Sequence, residues 1–303
     1  MTSPSLKKII WSVNILEDVD SHKNMLTLLR AVTRETSARI EPVFILSPPY
    51  ANPVGTPKSD YEQAYLALAE KRLLELKRTC GLDGIEDGKI LINHQGTVRK
   101  DVEMLASYAR SRGADALAVS THGRRGAPRC FMGSFAETLL LTANMPVFSV
   151  NPQSQVSEKI RKILVPTDFF ARSESTLEKV LALGKACNAA VTLFYKEPYL
   201  VGAALNPEVY SYIAEETKER QATAEQWKSR GEKLGVKVNI LIDEKPGYLS
   251  DAIEDLVAKE GFDLIAMGTQ ADGFTALVAG SAARQTVRQA ACPVWVTRIN
   301  EVQ

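Results

Sequence analysis

The densest run of chemistry-bearing residues in the chain is Ser-Thr-His-Gly-Arg-Arg-Gly-Ala-Pro-Arg-Cys-Phe-Met-Gly-Ser, residues 120–134. Glycine has no Cβ, so Gly123 and Gly133 let the backbone approach the oxygens of an anion closely. Arg124, Arg125 and Arg129 bring positive charge to the same loop, and guanidinium groups bond phosphate strongly. An apolar stretch opens at Phe135, which places Ser134 where a helix begins. The first amides of a helix are unpaired, and its dipole favours negative charge there. The chemistry indicated is phosphate recognition by Ser120, His122, Gly123, Arg124, Arg125, Gly133, Ser134 and Phe135. A plainer reading uses the same residues. Ser134 and Glu137 spell S-x-x-E, a capping box that only starts a helix, and Glu137 would set a negative charge near bound phosphate. Both readings stand on the sequence.

The elements that must hold this loop are legible through an internal repeat. Lys-Lys-Ile-Ile-Trp-Ser-Val-Asn, ending at Asn14, corresponds to Arg-Lys-Ile-Leu-Val-Pro-Thr-Asp, ending at Asp168. Residues 115–122 match 263–270, Gly133-Ser134 matches Gly280-Ser281, and 144–150 match 291–297. Matched landmarks in one order indicate a duplication. The polar stretch 151–159 has the composition of a connector, which predicts domains at 1–151 and 160–303.

In the first copy, apolar runs at 8–14, 40–46, 89–94, 115–120 and 146–150 read as strands. Amphipathic stretches at 21–37, 60–79, 97–112 and 134–144 read as helices. Strands apolar throughout belong to a sheet covered on both faces, and strand–helix alternation gives a parallel sheet with right-handed crossovers. The expected fold class is α/β: two tandem doubly wound, five-stranded parallel sheets. In strand order 3-2-1-4-5 the ligand crevice lies between strands 1 and 4, where the winding reverses. Their ends are Asn14 and Ser120 in copy one, and Asp168 and Gly268 in copy two.

The spaced glycines, with Lys-Ile-Leu-Val-Pro-Thr-Asp-Phe (162–169) and the last strand Cys-Pro-Val-Trp-Val, resemble the universal stress protein family in its tandem form. The family's ATP-binding members carry Gly, two residues, Gly, nine residues, then Gly followed by Ser or Thr. Gly123, Gly133 and Ser134 fit that pattern, whereas Ser120 replaces its first glycine. Copy two keeps Gly268, Gly280 and Ser281, but Ala271 stands at the second glycine and only eight residues precede Gly280. That loop has no basic residue and carries Asp272, which repels polyphosphate; Gly273 offers a shifted alternative. The resemblance also implies an Asp at the end of strand 1 toward the nucleoside. Asp168 matches it, and Asn14 departs from it as an uncharged donor and acceptor. Adenine nucleotide, ATP or a relative with or without Mg2+, is therefore expected mainly in copy one, with a weaker site at Asp168, Gly268, Gly280 and Ser281. Family members pair through the last strand, which implies that the two copies pair inside one chain, an intramolecular pseudo-dimer, with a homodimer of chains as a further step.

Composition narrows the rest. A net charge of +1 gives no basic excess for nucleic acid or an anionic membrane. The opening residues lack a secretory apolar core, and no run approaches a membrane span. Cys80, Cys130, Cys187 and Cys292 are scattered, so neither zinc nor a disulfide framework is signalled, and a cytoplasmic protein is expected. Three dispersed histidines give little support for a metal enzyme. No P-loop and no G-x-S-x-G motif occurs. The function classes left are a nucleotide-binding stress sensor, an interaction scaffold of the same fold, and a slow hydrolase or self-phosphorylating protein with Ser134 as acceptor. The Pro- and Gly-rich segment 47–58 and the more apolar 197–207 follow the second strands and read as loops beside the crevices.

Overall fold

The computed structural model describes residues 6–17, 19–47, 58–121, 134–197, 207–270 and 281–299. Copy one contributes β1 (Lys8–Ser12), α1 (Lys23–Thr36), β2 (Arg39–Leu46), α2 (Lys58–Thr79), β3 (Lys89–Ile92), α3 (Val98–Ser111), β4 (Ala116–Ser120), α4 (Ser134–Thr142) and β5 (Val147–Val150). Copy two repeats the series as β6 (Lys162–Pro166), α5 (Glu174–Ala186), β7 (Ala190–Lys196), α6 (Pro207–Lys233), β8 (Val238–Asp243), α7 (Leu249–Glu260), β9 (Leu264–Gln270), α8 (Ser281–Gln289) and β10 (Val294–Ile299). The fold is α/β, as the alternation predicts.

Both copies have strand order 3-2-1-4-5 and are parallel within themselves. They are joined: the order across the molecule is β3-β2-β1-β4-β5-β10-β9-β6-β7-β8. The single antiparallel step pairs β5 with β10, Phe148 opposite Trp295. Two five-stranded sheets thus become one of ten strands, and the expected pairing of the copies within one chain is present.

Alternating residues of each strand feed opposite faces. Ile9 and Trp11 enter a core covered by α1, α2, α5 and α6. Ile10 enters the other, covered by α3, α4, α7 and α8. Each core runs unbroken through both copies, and Trp11, Trp295 and Phe148 are among its fully buried side chains. An Asp fixes the start of the first strand in each copy. Asp115 Oδ2 accepts from the amides of Lys7 and Lys8, and Asp263 Oδ2 does so from Arg161 and Lys162.

Two polar features cross these cores. Lys8 on β1 is buried between Glu41 at 2.6 Å and Glu86 at 2.7 Å, while Tyr108 of α3 and Arg112, the C-cap of that helix, also donate to Glu41. Burial opposes ionisation of Glu41, but bonds from Lys8, Tyr108 and Arg112 outweigh it and hold the carboxyl below its ordinary 4.5. Burial, and then the bond to Glu41, push the Tyr108 phenol up to about 12.

The second feature ties the copies together. Arg298, buried at the end of β10, donates to the carbonyls of Ala143 and, at 2.9 Å, Leu140, the last turn of α4. Asn151, just past β5, donates at 2.8 Å to the carbonyl of Ala290 at the end of α8. Each copy therefore satisfies the orphan carbonyls of the other's last helix. The connector is pinned as well, with Asn24 Nδ2 donating to Pro152 and Ser154.

Arg298→Ala should lower unfolding free energy by about 2–4 kcal/mol, because it orphans buried carbonyls. Asn151→Ala should cost about 1 kcal/mol; urea titrations of both variants check the ranking. Glu41 has a depressed folded pKa, so its contribution is present above 4.5 and lost as pH falls through the folded value. Glu41→Gln should accordingly be less stable than wild type at pH 7 and lose less stability between pH 5 and 3, read from urea midpoints across that range.

Candidate functional site

The reversal of strand order opens a crevice beyond the carboxyl ends of β1 and β4, as expected for this winding. A cavity of about 480 Å3 fills it, walled by Val13 and Asn14 after β1, Leu46 at the end of β2 and Ser47 after it, Ser120 of β4, and Phe135 in the first turn of α4. Asn14, Ser120 and Phe135, from three separated parts of the sequence, are thus brought to one space. Ser134 opens α4 and is exposed. His122, Gly123, Arg124, Arg125, Arg129 and Gly133 lie outside the described residues, as do 48–57 of the loop after β2.

Asn14 is held by its own turn. Its Oδ1 accepts from the Leu16 amide at 3.3 Å, and its Nδ2 donates to Glu17 Oε1 at 2.9 Å. Tyr65 of α2 and Asp101 of α3 also line the cavity. Ser47 Oγ at 2.6 Å and Asn93 Nδ2 at 2.7 Å both donate to Asp101 Oδ1, which joins the ends of β2 and β3 to the start of α3. The sequence reading missed Tyr65 and Asp101. An acidic residue in a first helical turn after a Thr N-cap is ordinary helix grammar, and it carries no mark of a cavity.

Glu137 proves to face the other copy. Its Oε1 lies 3.0 Å from Arg288 and 3.5 Å from Arg284, both on α8. The negative charge that would oppose an anion at the start of α4 is therefore compensated from copy two.

Copy two has the equivalent crevice, a cavity of about 460 Å3 that includes Asp168, Gly268, Lys196, Trp227 and Tyr248. Asp168 is occupied: it accepts from the Phe170 amide at 3.1 Å, Ser173 Oγ at 2.8 Å and Arg172 at 2.5 Å. Phe169, in the left-handed region at φ 58, turns its ring inward against Tyr195 and Trp227. Lys196 is spent on Asp243 at 3.0 Å. Ser281 opens α8, while Gly280, Ala271, Asp272 and Gly273 lie outside the described residues, as do 198–206. Among the described residues no group of three His, Cys, Asp or Glu is placed to hold a metal, and no helix is long and apolar enough to cross a membrane.

A doubled unit with a crevice of this kind in each half matches one family model twice. The universal stress protein family model fits residues 16–151 and again 159–298. The chain belongs to the universal stress protein family. A curated family member, universal stress protein MJ0531 of Methanocaldococcus jannaschii, is 29% identical over 141 residues, covering 46% of this chain and 82% of its own length. A universal stress protein from Archaeoglobus fulgidus superposes with a TM-score of 0.71 at 16% identity, covering 97% of this chain and 98% of that one. The functionally unknown protein PA1789 of Pseudomonas aeruginosa superposes with a TM-score of 0.63 at 13% identity, over 97% of this chain and 93% of that one. At such identities the structural likeness speaks for the fold alone, in its full tandem length.

A third cavity, about 390 Å3, lies at the amino ends of the copy-one strands. It is lined mainly by apolar groups from both copies, among them Leu6, Pro146, Leu183 and Trp295. It shares no lining residue with either crevice, and none of the site residues expected from sequence reaches it.

Asn14→Asp, which installs the acid found in copy two, should destabilise copy one. It would replace a donor to Glu17 with a second carboxylate, at a cost of about 1 kcal/mol at pH 7. The loss should shrink below about pH 4 as carboxylates protonate; paired urea titrations at pH 7 and pH 3.5 check it.

Proposed function

We propose that this universal stress protein binds ATP or a related adenine nucleotide in the copy-one crevice, with or without Mg2+, and that occupancy sets its conformational state in a stress response. One observation carries the reading. Asn14, Ser120 and Phe135 surround a single cavity of about 480 Å3 at the position where open α/β sheets take ligands, and its size falls within the range of small-molecule sites. The basic, glycine-spaced sequence between β4 and α4 supplies the phosphate-recognising chemistry. Compensation of Glu137 by Arg284 and Arg288 removes the main electrostatic objection.

In this reading Ser120, Gly123, Gly133, Ser134 and Phe135 approach the phosphates through backbone groups. Arg124, Arg125 and His122 face their charge, and Asn14 bonds the nucleoside. Copy two is the weaker site. Asp168, the natural partner of a sugar hydroxyl, is committed to Arg172 and Ser173, and the segment before α8 brings Asp272 in place of arginine. Gly268, Gly280 and Ser281 there preserve the architecture of the turn. The protein works in the cytoplasm as a binder, without nucleic acid or membrane as partner, and two chains can associate.

A second reading, an interaction scaffold that binds no nucleotide, is favoured by Asn14 and Ser120, where ATP-binding relatives carry Asp and Gly. A slow hydrolase or a protein self-phosphorylated on the exposed Ser134 is the third.

Denatured, chromatographed protein should release adenine nucleotide, and ATP should raise the melting temperature, since a ligand selective for the folded state stabilises it. Gly133→Val should abolish that shift, and Gly280→Val should leave most of it. Absence of any shift with ATP, ADP, AMP or cyclic AMP, with and without Mg2+, would favour the scaffold. Turnover above a protein-free control would favour the hydrolase.

A further inference from the structure

The duplication allows each residue of copy one to be paired with its counterpart in copy two. Counting from Ser134 and Ser281, Glu137 corresponds to Arg284, Ala143 to Ala290, Phe148 to Trp295 and Asn151 to Arg298. The contacts across the seam follow these correspondences. Phe148 lies opposite Trp295 in the β5–β10 register, with the rings stacked at 5.1 Å. Glu137 lies 3.5 Å from Arg284. Arg298 bonds the carbonyl of Ala143, and Asn151 bonds that of Ala290. The copies are thus related by a local two-fold axis passing between Phe148 and Trp295 and between Glu137 and Arg284.

A residue on a two-fold axis meets its own equivalent. If two first copies joined through this seam, Glu137 would face Glu137. If two second copies joined, Arg284 would face Arg284, with an Arg288 added from each side. These side chains are between 24% and 37% exposed, so solvent shields such pairs only in part. Opposite charges at one pair of equivalent positions favour the unlike partner and oppose the like one, the two halves of specificity.

We infer that the Glu137–Arg284 pair makes the seam selective for the unlike copy, so that a second copy of this chain enters it only by strand exchange, copy one on copy two. The partner surface is complementary on all counts given above, and the like-with-like arrangement is disfavoured by charge at its axis.

Full-length variants test this. Glu137→Lys alone, and Arg284→Glu with Arg288→Glu, each place like charges on the axis and should lower the melting temperature by about 3–6 °C. The variant combining all three substitutions restores opposite charges and should recover at least half of the summed loss. A combined loss equal to that sum would overturn the inference. If a charge-reversed variant fails to fold, Glu137→Gln and Arg284→Gln with Arg288→Gln are measured in the same cycle, where the combined loss should be smaller than additive. For partner choice, the E137K chain and the R284E/R288E chain carry different fluorophores and are warmed together below their midpoints, then cooled. Two-chain species should form about tenfold more in the mixture than in either variant alone. Equal yields from the separate variants would show that the seam does not discriminate.

Discussion

Closure of β5 against β10 is the constraint on which the molecule's organisation rests. A five-stranded sheet ending in a short apolar strand presents unpaired amides and carbonyls along that strand, a template for unwanted association. Here two such strands satisfy each other, and two small sheets share cores that neither bounds alone. The exchange of helix-end contacts follows from the same geometry. Arg298 and Asn151 reach the last helical carbonyls of the opposite copy only because the paired strands bring each copy's chain past the other's helix.

Within that frame the two crevices have the same origin and different contents. Reversal of strand order leaves a gap beyond β1 and β4, and another beyond β6 and β9, whatever residues line them. Copy one keeps its strand-1 end neutral and tied to Glu17. Copy two keeps an acid there and neutralises it locally with Arg172. Duplication has preserved the backbone more strictly than the electrostatics, as expected when packing restricts apolar positions tightly and loop residues loosely.

The fold was largely legible because it depends on local pattern. Near-continuous apolar strands separated by amphipathic helices have few topological solutions, and periodicity placed Ser120 at a strand end and Asn14 and Asp168 just past theirs, whereas β9 runs two residues beyond Gly268. Their gathering into crevices followed from strand order. Most of what escaped depends on partners distant in the chain. Glu137 read as a helix-starting residue because S-x-x-E is a local motif, whereas Arg284 and Arg288 reach it across the seam. Asp101 and Tyr65 looked like ordinary helical positions, since nothing local says that Ser47 and Asn93 converge on one and a cavity adjoins the other. The engagement of Asp168 depends on Arg172, four residues on, and on a left-handed Phe169 that side-chain type alone would not suggest.

The antiparallel seam also orients the halves. All copy-one strands run one way and all copy-two strands run the other, so the crevices open toward opposite ends of the sheet. No single small molecule can span both mouths, and occupants of the two would be insulated from direct contact. Any communication between them has to travel as mechanical strain through the shared cores or through the helices α4 and α8. α4 begins at the copy-one cavity and touches α8 through Glu137 with Arg284 and Arg288.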